Sequence, residues 1–224
     1  MVDYRSLRPG NINSPEFSHI KLLLYWPLFG LVFFLLEDIW IRDSYTAVYC
    51  PLDDCIPFCE LFVIPYFAWF LFLIGAHVYT FLFNVDAFRR LMWFIMVTYT
   101  VSTVIFALFP TCQTFRPQVL PRDNLLTEIV AWLYDFDTNT NVCPSLHVVG
   151  SAAAMLAFWD CERFSAKGWR FLVGLAAFVI SVSTVFLRQH SVLDLVVATP
   201  VCLLGYFLVY ARAKAVKKGA SLQV

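Results

Sequence analysis

The sequence predicts an all-α membrane protein, a bundle of six transmembrane helices with both termini on the cytoplasmic side. Three observations lead there. Hydrophobic residues make up 60% of the 224 and charged residues only 14%, with a mean hydropathy of +0.71. A soluble domain carries about 45–50% and about 25%, so lipid is the fitting solvent, not one buried core. The apolar residues are gathered into six runs close to the ~20 residues that cross a hydrocarbon core. None of the runs alternates as a barrel strand does, which leaves helices to satisfy the backbone polar groups in lipid. A formal net charge of zero supplies no field for a polyanion, so no nucleic-acid partner is expected.

The elements follow in order. A cytoplasmic segment, residues 1–18, precedes a first span at 19–36. Glu37 and Asp38 then stand where a secretory leader would place small residues, so no leader is expected. An outward loop, about 37–60, leads to spans at 61–83 and 91–109. A second outward loop, about 110–142, holds Leu125, Leu126, Ile129, Val130 and Leu133 at helical spacing. That stretch predicts an amphipathic helix lying on the interface, with Asp123 as its N-cap. The fourth span, 143–159, is short and rich in small residues from Gly150 to Ala154. Small residues let helices approach closely, which places this span inside the bundle. Spans at 171–187 and 191–211 flank a short outward loop, 188–190. A basic tail, 212–224, closes the chain and suits anionic headgroups. Residues 19–211 thus form one membrane domain.

Orientation comes from Lys and Arg. With the N-terminus inside, twelve of the sixteen fall on the cytoplasmic side and only Arg42, Arg116, Arg122 and Arg188 fall outside. Trp93, Trp159 and Trp169 then lie at the inner interface, and Trp40 and Trp132 at the outer one.

Two of the four histidines reach the same depth on that outer side, because His147 opens the fourth span and His190 opens the sixth. Asp194 follows His190 by four residues and shares its helix face. A carboxylate there fixes the imidazole tautomer and makes the far nitrogen a better nucleophile. An ionisable residue one turn inside an apolar helix also marks a functional site. His147 belongs to Cys143-Pro144-Ser145-Leu146-His147, where Pro144 suits a helix start. Free amides at residues 145–147 would then face an anion. Arg116, followed by Pro117, lies on the same outward side, and a guanidinium holds phosphate in bidentate fashion. Nucleophile, acid and anion clamp are the requirements of phosphoryl transfer. His77, within the second span, reads as an interhelical hydrogen-bonding residue.

These residues resemble the type 2 phosphatidic acid phosphatase superfamily, whose motifs read K-x6-RP, PSGH and SR-x5-H-x3-D. The chain supplies Arg116-Pro117, then Pro144-Ser145-x-His147, then Ser183 with His190-x3-Asp194, in the family's order. The stretch Leu52-Asp53-Asp54 through Ile64-Pro65-Tyr66 is similar to the loop and second span of one bacterial branch. The resemblance implies a membrane lipid phosphatase working through a phosphohistidine. In it His190 is the nucleophile, Asp194 its orienting partner and His147 the general acid, with Arg116 and Ser145 on the phosphate. It implies neither a metal nor a cofactor. The substrate would be a lipid phosphate reaching an extracytoplasmic site from the bilayer.

Three positions depart from the pattern. Phe109 stands at the motif lysine, Leu146 at the motif glycine and Thr184 at the motif arginine. Arg188, two residues before His190, is the candidate replacement for one lost cation. PSLH and ST-x5-H-x3-D are similar to inositol phosphorylceramide synthases, and sphingomyelin synthases use a His-His-Asp set without that arginine. A lipid phosphotransferase is therefore the alternative, and a catalytically inert member the second. A transporter would show midplane polar residues and paired repeats, which are missing. A Ser145–His147–Asp194 hydrolase triad fails because residues two apart on a helix diverge. If the outer compartment is oxidising, Cys50–Cys55 or Cys112–Cys143 could pair, with free thiols preferred. Histidines at ligand spacing for zinc are missing.

Overall fold

The computed structural model describes residues 2–213, and 72% of it is helical. The first helix runs from Ser18 to Ile39 in three grades. A 3-10 stretch, Ser18–Leu24, leads into α1 (Tyr25–Phe34), and a π turn follows at Leu35–Ile39. Leu24, Leu28, Leu31 and Phe34 are exposed along it, as a lipid-facing helix requires. A short β1 (Thr46–Ala47) and the single-turn α2 (Pro51–Cys55) come next. Then follow α3 (Val63–Phe83) and α4 (Val85–Leu108), joined at Asn84, whose side chain accepts the Ala87 amide at 3.1 Å as N-cap of α4. β2 (Thr111–Cys112) pairs in parallel with β1, Thr46 opposite Thr111. Last come α5 (Leu125–Phe136), α6 (Leu146–Trp159), α7 (Lys167–Phe186) and α8 (Val192–Gly205), the last continued by π turns over Tyr206–Ala211.

Five of these helices are long and apolar enough to cross a bilayer. The fourth expected span is the exception. It is α6, with only 14 residues, about 21 Å at the helical rise against a hydrocarbon core of about 30 Å. It starts at Leu146, with Ser145 and not Pro144 as its N-cap. Two further boundaries move: α4 begins at Val85 and α7 at Lys167, earlier than 91 and 171. Charged Asp86, Arg89 and Arg90 continue the α4 helix beyond the apolar run.

The core sits around α6, which packs on α3, α4, α7 and α8. Val149, Ala153, Ala154 and Ala157 meet Leu91, Phe94, Ile95 and Tyr99 of α4 and Ala198 and Val201 of α8. Gly150 permits this closeness: a Cβ there would lie 2.8 Å from Trp69 Nε1 and from the Tyr99 hydroxyl. His77 is interhelical, accepting from Trp26 Nε1 at 3.3 Å while its Nδ1 donates to the Leu73 carbonyl at 2.7 Å.

The helices alternate in direction. Glu37, the N-terminus of α3 and the starts of α6 and α8 gather at one end, held by Asn141–Glu37 (2.6 Å) and Ser145 amide–Asp194 carbonyl (3.2 Å) bonds. The N-terminal segment lies at the other end, where the Tyr4 hydroxyl donates to the Phe81 carbonyl at 2.6 Å. α5 docks at the histidine end by burying Thr127, Val130 and Leu133, the last two against Val63 and Tyr66 of α3. Its N-cap is Asn124 and not Asp123, the Asn124 side chain accepting from Leu126 (2.9 Å) and Thr127 (3.1 Å). The basic tail lies outside the described residues from 214 onward.

Candidate active site

His190 and Asp194, the expected nucleophile and its partner, sit at a helix start. Ser191 caps α8, its hydroxyl accepting from Leu193 at 3.1 Å, and Asp194 sits at the third helical position. Asp194 Oδ2 accepts the Ser191 amide at 3.0 Å, completing a capping box, and the same oxygen accepts from His190 Nδ1 at 2.9 Å. The i,i+4 spacing is thus set by cap geometry. The positive end of the helix dipole also favours a carboxylate placed there. Asp194 is fully buried. With Nδ1 taken, Nε2 of His190 has no hydrogen-bond partner among the described residues.

His190 reaches this position through a tight turn after α7. The Gln189 and His190 amides both donate to the Thr184 carbonyl, at 2.9 and 3.2 Å. Arg188 takes the strain, with φ of 55°, a left-handed conformation costly for a residue with a Cβ. It is held there by its own side chain, donating to the Asp53 carbonyl at 2.7 Å and the Ile56 carbonyl at 2.6 Å.

His147, the expected acid, is the second residue of α6. The His147 ring stands 5.9 Å from that of His190, at 64°. Tyr66 and Trp69 of α3 flank it, with centroids at 4.4 and 4.6 Å. Both imidazoles line one cavity of about 270 Å³. Its walls are aromatic, with Trp26, Phe29 and Phe33 from α1 and Phe67, Trp69 and Phe70 from α3. Its rim is polar, with Asp137, Thr138, Thr140, Asn141 and Gln189. Asp137 accepts from the Tyr66 hydroxyl at 2.7 Å. The 138–141 segment is tied to Glu37 through Thr138, Thr140 and Asn141.

The structure therefore brings His147, His190 and Asp194 together. The expected phosphate ligands are placed otherwise. Arg116 donates to the Tyr134 carbonyl (3.0 Å), the Thr138 carbonyl (2.9 Å) and the Gln189 side-chain oxygen, with its plane over the Tyr134 ring. Burial pushes its pKa down and the Asp137 charge pushes it back. Burial also pushes the Tyr134 phenol up to about 12, and its hydroxyl donates to the Leu187 carbonyl at 2.7 Å. Arg116 and Arg188 thus both brace loops through backbone carbonyls. Ser145 is fully buried and its Oγ has no hydrogen-bond partner among the described residues. Its amide donates to the Asp194 carbonyl and is not free for an anion. The open backbone donor expected at that residue is spent on joining α6 to α8.

Sequence reasoning missed Trp69, Asp137 and Gln189, and it named Asp53 and Tyr66 only within the stretch similar to a bacterial branch, with no role at the site. Among the missed residues Gln189 carried a signal, its place beside His190. All seven cysteines are free thiols. Among the described residues no group of three His, Cys, Asp or Glu is disposed to hold a metal ion. Comparison with family models, with curated proteins and with solved structures finds no match to this chain.

Proposed function

We propose that this chain is a six-span membrane lipid phosphatase resembling the type 2 phosphatidic acid phosphatases. Its site would face the extracytoplasmic side and act on a lipid phosphate or diphosphate. The observation that carries the reading is the 2.9 Å His190–Asp194 bond beside a second imidazole 5.9 Å away in the same cavity. With Nδ1 donating to the carboxylate, the lone pair for attack is on Nε2. Nε2 bonds to phosphorus as the P–O bond to the lipid breaks, and the leaving oxygen takes a proton from the His147 imidazolium. Asp194 offsets the positive charge that develops on the His190 ring. Water then attacks the phosphohistidine, His147 takes its proton, and phosphate leaves with Nε2 restored. Gln189, held by Arg116, and Asn141 are neutral donors at the rim for the equatorial oxygens. The aromatic walls on α1 and α3 suit the chain of an amphiphile whose head stays at the polar rim.

A second reading is favoured by one observation, the commitment of Arg116 and Arg188 to carbonyls. A phosphodiester carries one charge less than a monoester and needs fewer direct cations. His190 would then hold a phospho-headgroup for a second lipid's alcohol.

One assay on detergent-purified protein tests both. Lipid phosphates are offered and inorganic phosphate is measured; phospholipid plus an alcohol acceptor is offered and headgroup transfer is measured. His190→Ala is expected to abolish turnover in a protein that still unfolds cooperatively. Retained turnover would sink the assignment, and phosphate release without transfer would reject the second reading.

A further inference from the structure

The residue that holds the nucleophile's loop in register lies far away in sequence. Asp53 is fully buried and makes no ion pair among the described residues. Its carboxylate accepts three donors: the Cys50 amide at 2.8 Å, the Ser191 hydroxyl at 2.6 Å and the Val192 amide at 2.8 Å. Capping the single-turn α2 accounts for the first alone. The other two come from the residues directly after His190, and Ser191 also caps α8 and donates its amide to Asp194. Further ties run alongside. Arg188 grips the carbonyls of Asp53 and Ile56, the Cys59 amide donates to the Phe186 carbonyl at 3.1 Å, and Phe62 stacks on Phe186 at 4.2 Å.

A buried carboxylate is costly unless its lone pairs are met. Here they are met largely by the N-terminus of α8, whose dipole favours negative charge. The same dependence runs in reverse. Without the Asp53 carboxylate, the Val192 amide and the Ser191 hydroxyl are left unmet inside the protein, and the first turn of α8 must shift to find partners. Asp194 is on that turn. We propose that Asp53 is a positioning residue for the His190–Asp194 pair, acting through Ser191 and the first turn of α8. This rests on the phosphoryl-transfer reading above for its kinetic consequence, but not for its structural one.

The test uses the full chain in detergent micelles, with Asp53→Asn, Ser191→Ala, the double variant, and Asp54→Asn as control. Asp54 is the exposed neighbour, bonded to the Tyr49 hydroxyl. Active sites are counted by bound vanadate, so that loss of folded protein does not pass for loss of rate. Misplacing a reacting group by an ångström costs on the order of 10²-fold. Asp53→Asn is expected to lower kcat per site by about that factor with KM little changed, and Ser191→Ala by about tenfold. The double variant should fall by less than the product of the two single effects, because the Ser191–Asp53 bond is common to both. Unchanged kcat per site, even with a lower melting temperature, overturns the proposal, and so do multiplicative effects. Should Asp53→Asn fail to fold, Ser191→Ala decides alone.

A readout independent of turnover is the low-field Nδ1 proton of His190 in protein labelled with 15N-histidine. It is expected to broaden or vanish in Asp53→Asn and to persist in Asp54→Asn. Its persistence in Asp53→Asn overturns the positioning role whether or not lipid phosphate is turned over. A wild type that shows this resonance, loses it in Asp53→Asn and turns over no lipid phosphate would refute the proposed function and leave the clasp standing.

Discussion

Replacing Arg188 with alanine separates the role expected from sequence, a phosphate ligand, from the role its side chain has in the fold. Its guanidinium donates to two backbone carbonyls, those of Asp53 and Ile56, at 2.7 and 2.6 Å. Hydrogen bonds from a charged group contribute about 1.5–3 kcal/mol each. The side chain is half-buried, so water replaces part of what is lost and about 2–4 kcal/mol is the working figure. For a chain of this size that amounts to a melting temperature lower by about 5–15 °C. The backbone adds a second, separable quantity. At φ of 55° alanine is disfavoured by about 1–2 kcal/mol, whereas glycine adopts this conformation freely. Arg188→Gly should therefore be more stable than Arg188→Ala by about 1 kcal/mol, although both lose the same contacts. The assay is thermal unfolding in detergent followed by tryptophan fluorescence, with KM for the phosphate substrate measured beside it. An unchanged melting temperature with KM raised tenfold or more would refute the bracing role and restore the ligand role. Equal stability of the two variants would refute the argument from backbone conformation.

Gly150→Val should displace Trp69 and Tyr99, which a Cβ would meet at 2.8 Å. About 1–3 kcal/mol of stability should be lost and kcat should fall, since the Trp69 ring lies 4.6 Å from that of His147; a variant with wild-type melting and rate would show that α6 has slack there. Asn124→Ala should cost α5 about 1 kcal/mol as a lost N-cap, while Asp123→Ala should leave the melting temperature unchanged. The reverse order would move the start of α5 by one residue. All seven cysteines should react with a maleimide in denaturant without prior reduction, and a mass short by two adducts would reveal a disulfide.

Lipid-facing helices, the packing of α6 and the pairing of His190 with Asp194 were legible in the sequence because each depends on neighbours within a few turns of one helix. Hydropathy marks the lipid surface, small residues mark a crowded helix, and four-residue spacing brings two side chains onto one face. The nearness of His147 to His190 was legible because both open spans that start at the same end of the bundle. What lay beyond reach was the use of each polar group's donors. Arg116 and Arg188 look alike as surface cations in a sequence, yet both are turned onto carbonyls that a fold brings from 18 and about 135 residues away. Asp53 looks like any outward acid, and only the folded chain sets it under the N-terminus of α8. The length of α6 was overread for the same reason, since Ser145 as N-cap and its amide bond to Asp194 end the helix where hydropathy does not. Apolar patterning is a property of the chain, whereas hydrogen-bond partnership between distant segments is decided when tertiary packing removes water and leaves each donor the acceptors within reach.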